Sequence, residues 1–166
     1  MSSSTKPIIA VLGATGAQGS SVVQYLVNDP EHAFHVRALT RNLESSKAKN
    51  LVALGVEVVK ADLNDAESLK QAFKGVYGVF GVTNFWELLS QEKETQQGKT
   101  LVDAAVSAGV KHFIWSTLDH TSDPEVPHWN SKADVDDYLK QSNLPRTSLY
   151  TSYYYENYIK IPAVAF

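Results

Sequence analysis

The sequence predicts an α/β domain, a mostly parallel sheet wound on both faces by helices. Three observations predict it. Six short apolar runs read as buried strands, amphipathic stretches at helical spacing separate them, and a glycine-rich turn follows the first run. Parallel strands need crossover helices, and those helices bury both faces of the sheet.

The elements follow in order. Pro7 to Leu12 is the first strand and ends in Gly13-Ala14-Thr15-Gly16-Ala17-Gln18-Gly19. Val22, Val23, Leu26 and Val27 then recur at helical spacing until Asn28-Asp29-Pro30 stops the pattern. Phe34 to Thr40 is the second strand, and Ser45 to Leu54 a helix closed by Gly55. Val56 to Lys60 is the third strand. Asn64 with Glu67 resembles a capping box, opening a helix whose apolar face carries Ala66, Leu69, Ala72 and Phe73 and which Gly75 ends. Val76 to Val82 is the fourth strand. A helix from Ser90 to Ala108 ends at Gly109, and Lys111 to Ser116 is the fifth strand. Ser131 to Gln141 is helical and Arg146 to Tyr150 is the sixth strand. Two successive strand-helix halves give the strand order 3-2-1-4-5-6 and a ligand crevice at the carboxyl ends of strands one and four.

Composition narrows the function classes. The 166 residues hold 15 Lys plus Arg against 18 Asp plus Glu, a net charge of −3, so there is no polycationic footprint and direct nucleic-acid binding is not expected. With no cysteine there is no disulfide framework, thiolate metal site or cysteine nucleophile, and the histidines outside the crevice show no metal-ligand spacing. No run approaches the ~18 apolar residues of a membrane span, so a cytoplasmic or nuclear protein is the expectation.

The candidate site lies just after the strands. Gly13 permits a tight turn, Gly16 lets the backbone approach a pyrophosphate and Gly19 lets helix and strand pack closely, while the helix N-terminus supplies amide donors and a positive dipole end. Thr15 and Gln18 in the same turn join the glycines as expected dinucleotide contacts. An NAD pocket usually places a carboxylate at the end of strand two, but Thr40-Arg41-Asn42 stands there. A guanidinium grips a phosphate with paired hydrogen bonds, so Arg41, beside Asn42, favours NADP(H) over NAD(H), with Arg37 a weaker helper. Asp62 and Leu63 after strand three would flank the adenine; Asp62 reads equally as a helix cap. Thr83, in Gly81-Val82-Thr83, would bring backbone towards the nicotinamide. Asn84, Phe85 and Trp86 lie over the crevice, as a cover for the ring or as a patch for a partner.

Gly13 to Gly19, Leu39-Thr-Arg-Asn42, Val82-Thr-Asn-Phe-Trp-Glu87, His128-Trp-Asn-Ser-Lys132 and Tyr155-Glu-Asn157 together resemble the NmrA-like family of atypical short-chain dehydrogenases over nearly the whole chain. The resemblance implies a Rossmann-type domain that binds NAD(P), found in redox-sensing transcriptional co-regulators and in NADPH-dependent reductases. It implies Lys132 as a ligand of the cofactor ribose or a general base, and Asn157 near the nicotinamide. Typical short-chain dehydrogenases place a tyrosine four residues before the lysine; here that residue is His128, whose imidazole suits proton transfer and whose pKa the Lys132 ammonium would lower. Ser116 resembles a substrate-orienting hydroxyl, or caps the next turn.

Family members run on well beyond this length into a substrate-side half. The expected organisation is a flexible segment 1–6, a cofactor domain over 7–152 and a truncated substrate-side start over 153–166. Two functions follow as expectations: an NADPH-dependent oxidoreductase acting on a small carbonyl or alkene, and a non-catalytic sensor that binds a protein partner, such as a transcription factor, according to NADP(H) occupancy.

Overall fold

In the computed structural model residues 6–160 are described, so all but Lys6 of segment 1–6, and residues 161–166, lie outside the described residues. The elements run β1 (Ile8–Val11), α1 (Ala17–Val27), β2 (His35–Thr40), α2 (Ser46–Ala53), β3 (Glu57–Lys60), α3 (Ala66–Ala72), β4 (Val76–Gly81), α4 (Phe85–Leu88), α5 (Gln91–Ser107), β5 (His112–Thr117), α6 (Pro127–Gln141), β6 (Arg146–Tyr150) and α7 (Asn157–Lys160). The six strands form one sheet in the order β3-β2-β1-β4-β5-β6, every pairing parallel. This is the predicted architecture and strand order.

The period of two along each strand sorts the core into two layers. Ala10 and Leu12 of the first strand run face one side, with Val79, Phe113, Trp115, Leu101 and Val135, whereas Val11 faces the other with Val23, Val36, Leu51 and Phe80. Phe73, Phe113, Trp115 and Leu139 are completely buried, each such side chain contributing roughly 1.5–3 kcal/mol or more.

Several local expectations are corrected. The cap of α3 is Asp65, not Asn64: Asp65 Oδ1 accepts from the amides of Glu67 (3.0 Å) and Ser68 (3.1 Å). Asp62 explains the shift, because its Oδ1 accepts from the Asn64 amide at 2.9 Å and turns the chain one residue later. Glu67 bonds Gln71 on the helix face instead of reaching back. Helix α6 begins at Pro127, four residues earlier than the apolar period indicated, because proline at the first position suits a helix start without needing a side-chain cap. The segment after β4 is a short helix, α4, capped by Asn84 through the Trp86 amide.

Candidate nucleotide-binding cleft

The turn between β1 and α1 is fixed by its glycines. Gly13 has φ +61°, and a Cβ there would sit 2.9 Å from Val82 Cγ1. A Cβ on Gly19 would sit 2.2 Å from the Gly13 carbonyl oxygen, so α1 lies against the turn only because that residue has no side chain. The amino end of α1 has no side-chain cap and no acidic residue in its first turn, leaving its amides open towards the cleft.

Above this turn, at the carboxyl edge of β1 and β4 where the strand order reverses, lies a cavity of about 590 Å³. Gly13, Thr15, Gly16, Gln18, Gly19, Arg41, Asn42, Asp62, Leu63, Thr83, His128 and Lys132 all line it, so most of the sequence-derived residues converge from five separate segments. Gln18 Oε1 is buried there without a hydrogen-bond partner among the described residues, while Gln18 Nε2 donates to the Tyr154 hydroxyl.

At one end, Arg41 Nη2 pairs with Glu87 Oε1 at 2.8 Å, linking the corner after β2 to α4. Lys47 Nζ donates to the Thr15 carbonyl at 3.1 Å and lines the same cavity. Asn42 Oδ1 accepts from the Glu44 amide at 2.9 Å, and Ser45 caps α2. Arg37 takes no part: it is held by Glu57 at 2.8 Å and by the carbonyls of Ala72 and Lys74.

At the other end, Lys132 Nζ forms an ion pair with Glu94, whose side chain is 0% exposed against 12% for the lysine. Thr83 Oγ1 donates to Glu94 Oε1 at 2.7 Å and Ser131 Oγ donates to Oε2, so the carboxylate is fully engaged. The lysine is also anchored through its backbone, as its carbonyl accepts from Trp115 Nε1 at 2.9 Å and Thr117 Oγ1 at 3.2 Å.

His128 stands one helical turn before Lys132, with ring centroids 5.7 Å from Phe85 and 5.2 Å from Trp86. Burial against these rings lowers its pKa below 6.5, and the Lys132 ammonium lowers it further, against a smaller opposing pull from Glu94. The environment therefore favours the neutral imidazole. Trp129, next to His128, is partly exposed and does not line the cavity.

Two candidates fall outside the cavity. Ser116 is completely buried on β5, and its Oγ has no partner among the described residues; Asn157 begins α7 and is not in the lining. Sequence reasoning missed Glu94, Ser131, Lys47, Glu87 and Tyr154. Glu94 had a legible signal, since it lies on the stripe of α5 that also buries Gly98, Leu101 and Ala105, where a carboxylate needs partners. Among the described residues there is no cluster suited to a metal ion, and no helix is long and apolar enough to cross a membrane.

A parallel sheet in this order, with a glycine turn flooring a cleft at the point of strand reversal, defines a doubly wound domain of the Rossmann type. The chain belongs to the NmrA-like family, whose model matches residues 5–165. It is 46% identical over 114 residues to the NmrA-like family domain-containing oxidoreductase FrzB of Cladobotryum sp., a match covering 66% of this chain and 33% of that protein. The fold is similar to that of Citrobacter sp. triphenylmethane reductase complexed with NADP(H) (TM-score 0.73, 32% identity, 91% of this chain and 51% of that one). It is also similar to NmrA, a negative transcriptional regulator, in complex with NADP (TM-score 0.74, 29% identity, 89% of this chain and 45% of that one). The chain thus spans about a third to a half of the relatives it matches.

Proposed function

We propose that this chain is an NADP(H)-binding oxidoreductase domain acting on a small carbonyl or alkene. The observation that carries the reading is the convergence of the uncapped α1 amino end, Arg41 and Lys132 on one cavity at the reversal point of the sheet. The residues fit a dinucleotide. The glycine turn is a cradle that a Cβ at Gly13 or Gly19 would fill, and the unpartnered Gln18 Oε1 and the open amides have no bonding to give up. NADP(H) and NAD bind to solved structures that resemble this one, which supports the same ligand class here.

When bound and reduced, the nicotinamide supplies a hydride. The chain's own part is binding and orientation. The α1 amides would hold the diphosphate, Arg41 with Asn42 and Lys47 the 2′-phosphate, Asp62 and Leu63 the adenine, and Lys132 the nicotinamide ribose. Thr83 backbone would face the nicotinamide, and His128 would carry a proton at its imidazole.

A second reading, a non-catalytic sensor that changes its affinity for a protein partner with NADP(H) occupancy, is favoured by two observations. Ser116 is buried away from the cavity, and Lys132 is tied to Glu94. Calorimetry with NADPH and NADH, followed by NADPH oxidation in the presence of aldehydes, quinones and enones, tests both readings. Binding with turnover supports the oxidoreductase, binding without turnover supports the sensor, and failure to bind either nucleotide removes both.

A further inference from the structure

We infer that Glu94 is a positioning residue for nucleotide binding: a buried carboxylate that aims the Lys132 ammonium into the cleft and keeps it there as a fixed cation. The inference rests on the dinucleotide reading of the cleft and deepens it.

Glu94 has no access to solvent and uses its two oxygens on three donors: Thr83 Oγ1, Ser131 Oγ and Lys132 Nζ. These donors come from two different elements, the strand-end loop after β4 and helix α6, while Glu94 itself stands on α5. A carboxylate in such a place is costly unless paired and hydrogen-bonded, so its retention calls for a job done by the charge itself. Packing brings it within reach. One turn along α5, Gly98 lets α6 approach so closely that a Cβ there would lie 2.3 Å from Val135 Cγ2. That approach sets Ser131 and Lys132, one turn earlier on α6, against Glu94.

The result is a lysine fixed at both ends. Trp115 and Thr117 hold its carbonyl, Glu94 holds its ammonium, and the ammonium also reaches the Thr83 carbonyl at 3.4 Å. Lysine otherwise has four freely rotating side-chain bonds, and ordering them at the moment of ligand binding weakens affinity. Glu94 orders them beforehand. The ammonium's short bond goes to Glu94, whereas its contacts with Thr83, the carbonyl at 3.4 Å and Oγ1 at 3.5 Å, are long and weak, so a ribose hydroxyl can take over that donor capacity without loosening the ion pair. The pairing also assigns Lys132 the role of donor and cation, leaving proton transfer to His128.

The test measures NADPH affinity by the emission of the bound nucleotide for wild type, Glu94→Gln, Lys132→Met and the double variant, with unfolding midpoints recorded alongside. Glutamine keeps the shape of Glu94 and removes its charge. The expected result is a five- to tenfold loss for Glu94→Gln with Lys132 present, and no further loss in the Lys132→Met background. A merely structural glutamate would lower affinity equally in both backgrounds, and that outcome, or unchanged affinity in Glu94→Gln, overturns the inference while the wild type still binds. A wild type that binds no nicotinamide nucleotide removes the dinucleotide reading instead.

Because Glu94→Gln leaves a buried cation unmatched and can fail to fold, a second measurement uses the wild type. A slowly exchanging lysine 15Nζ signal, assigned by its disappearance in Lys132→Met, is expected in the free protein and shifts on NADPH addition. Absence of a protected signal, or a signal indifferent to NADPH, overturns the inference.

Discussion

Arg41 Nη2 and Glu87 Oε1 meet at 2.8 Å across one end of the cleft, joining the corner after β2 to the short helix α4. The guanidinium that the sequence assigns to a 2′-phosphate is thus already matched by an internal carboxylate. Both side chains are roughly half exposed, and an exposed pair of this kind is worth at most about 1 kcal/mol. A phosphate that replaces Glu87 must first displace it. Glu87→Gln is therefore expected to tighten NADPH binding by about two- to fivefold and to leave NADH affinity unchanged. Arg41→Ala is expected to abolish the preference for NADPH. Titration calorimetry at low and high salt checks both, and equal NADPH affinity in wild type and Glu87→Gln would show that the pair exerts no competition.

The glycine turn gives the sharpest steric prediction. The atom opposing a Cβ at Gly19 is backbone, the Gly13 carbonyl oxygen at 2.2 Å, which cannot rotate away as a side chain can. Gly19→Ala is expected to force α1 off the turn, costing about 1–3 kcal/mol or more of stability and eliminating nucleotide binding. Denaturant unfolding measures the first effect and a nucleotide thermal-shift assay the second. A variant of wild-type stability that still binds would mean that the turn can open without loss.

His128 carries a pH dependence whose sign is fixed. Its pKa is lowered in the folded chain, first by burial and then by the Lys132 ammonium, so the unfolded chain binds the proton more readily as the pH falls through about 6.5. The stability associated with neutral His128 is fully present above that value and is lost towards the lowered folded pKa. His128→Gln is expected to flatten this slope below pH 6.5. In an NMR titration Lys132→Met is expected to raise the His128 pKa without returning it to 6.5, because burial is the larger cause, and Glu94→Gln to lower it further. A His128 that titrates at or above 6.5 in the wild type contradicts the geometry.

What the sequence made legible follows from periodicity and local chemistry. Val11 and Ala10 divide between the two core layers because strand side chains alternate, and the glycine run announces a turn because a Cβ at Gly13 or Gly19 would clash there. Those signals are local, so the sheet, its order and the floor of the cleft could be read. The missing parts depend on residues distant in the chain. Glu94 and Lys132 are 38 positions apart and Arg41 and Glu87 are 46 apart, and no local pattern pairs them. The start of α3 was misplaced for a different, local reason: Asp62 moves its cap to Asp65 by a side-chain bond across two residues that competes with the Asn64 cap.

The contact of Gly98 with Val135 offers a last prediction, one that separates packing from charge at the Glu94 cluster. A methyl at position 98 would sit 2.3 Å and 2.8 Å from the two Cγ atoms of Val135, a branched side chain with little rotational freedom in a helix. Gly98→Ala alone should gain helix propensity, about 1 kcal/mol, yet the overlap costs about 1–3 kcal/mol, so a net loss of stability is expected. Val135→Ala alone should also destabilise, because it leaves a void in a fully buried site. Together the two changes add one methyl group and remove two across the interface, so the overlap is relieved and part of the void is filled. The double variant is expected to be more stable than the sum of the single losses allows, by 1 kcal/mol or more on an order-of-magnitude scale. Denaturant unfolding of the four proteins provides the cycle. Strict additivity would mean that α5 and α6 move apart freely, and the close approach could not then be what holds Lys132 against Glu94.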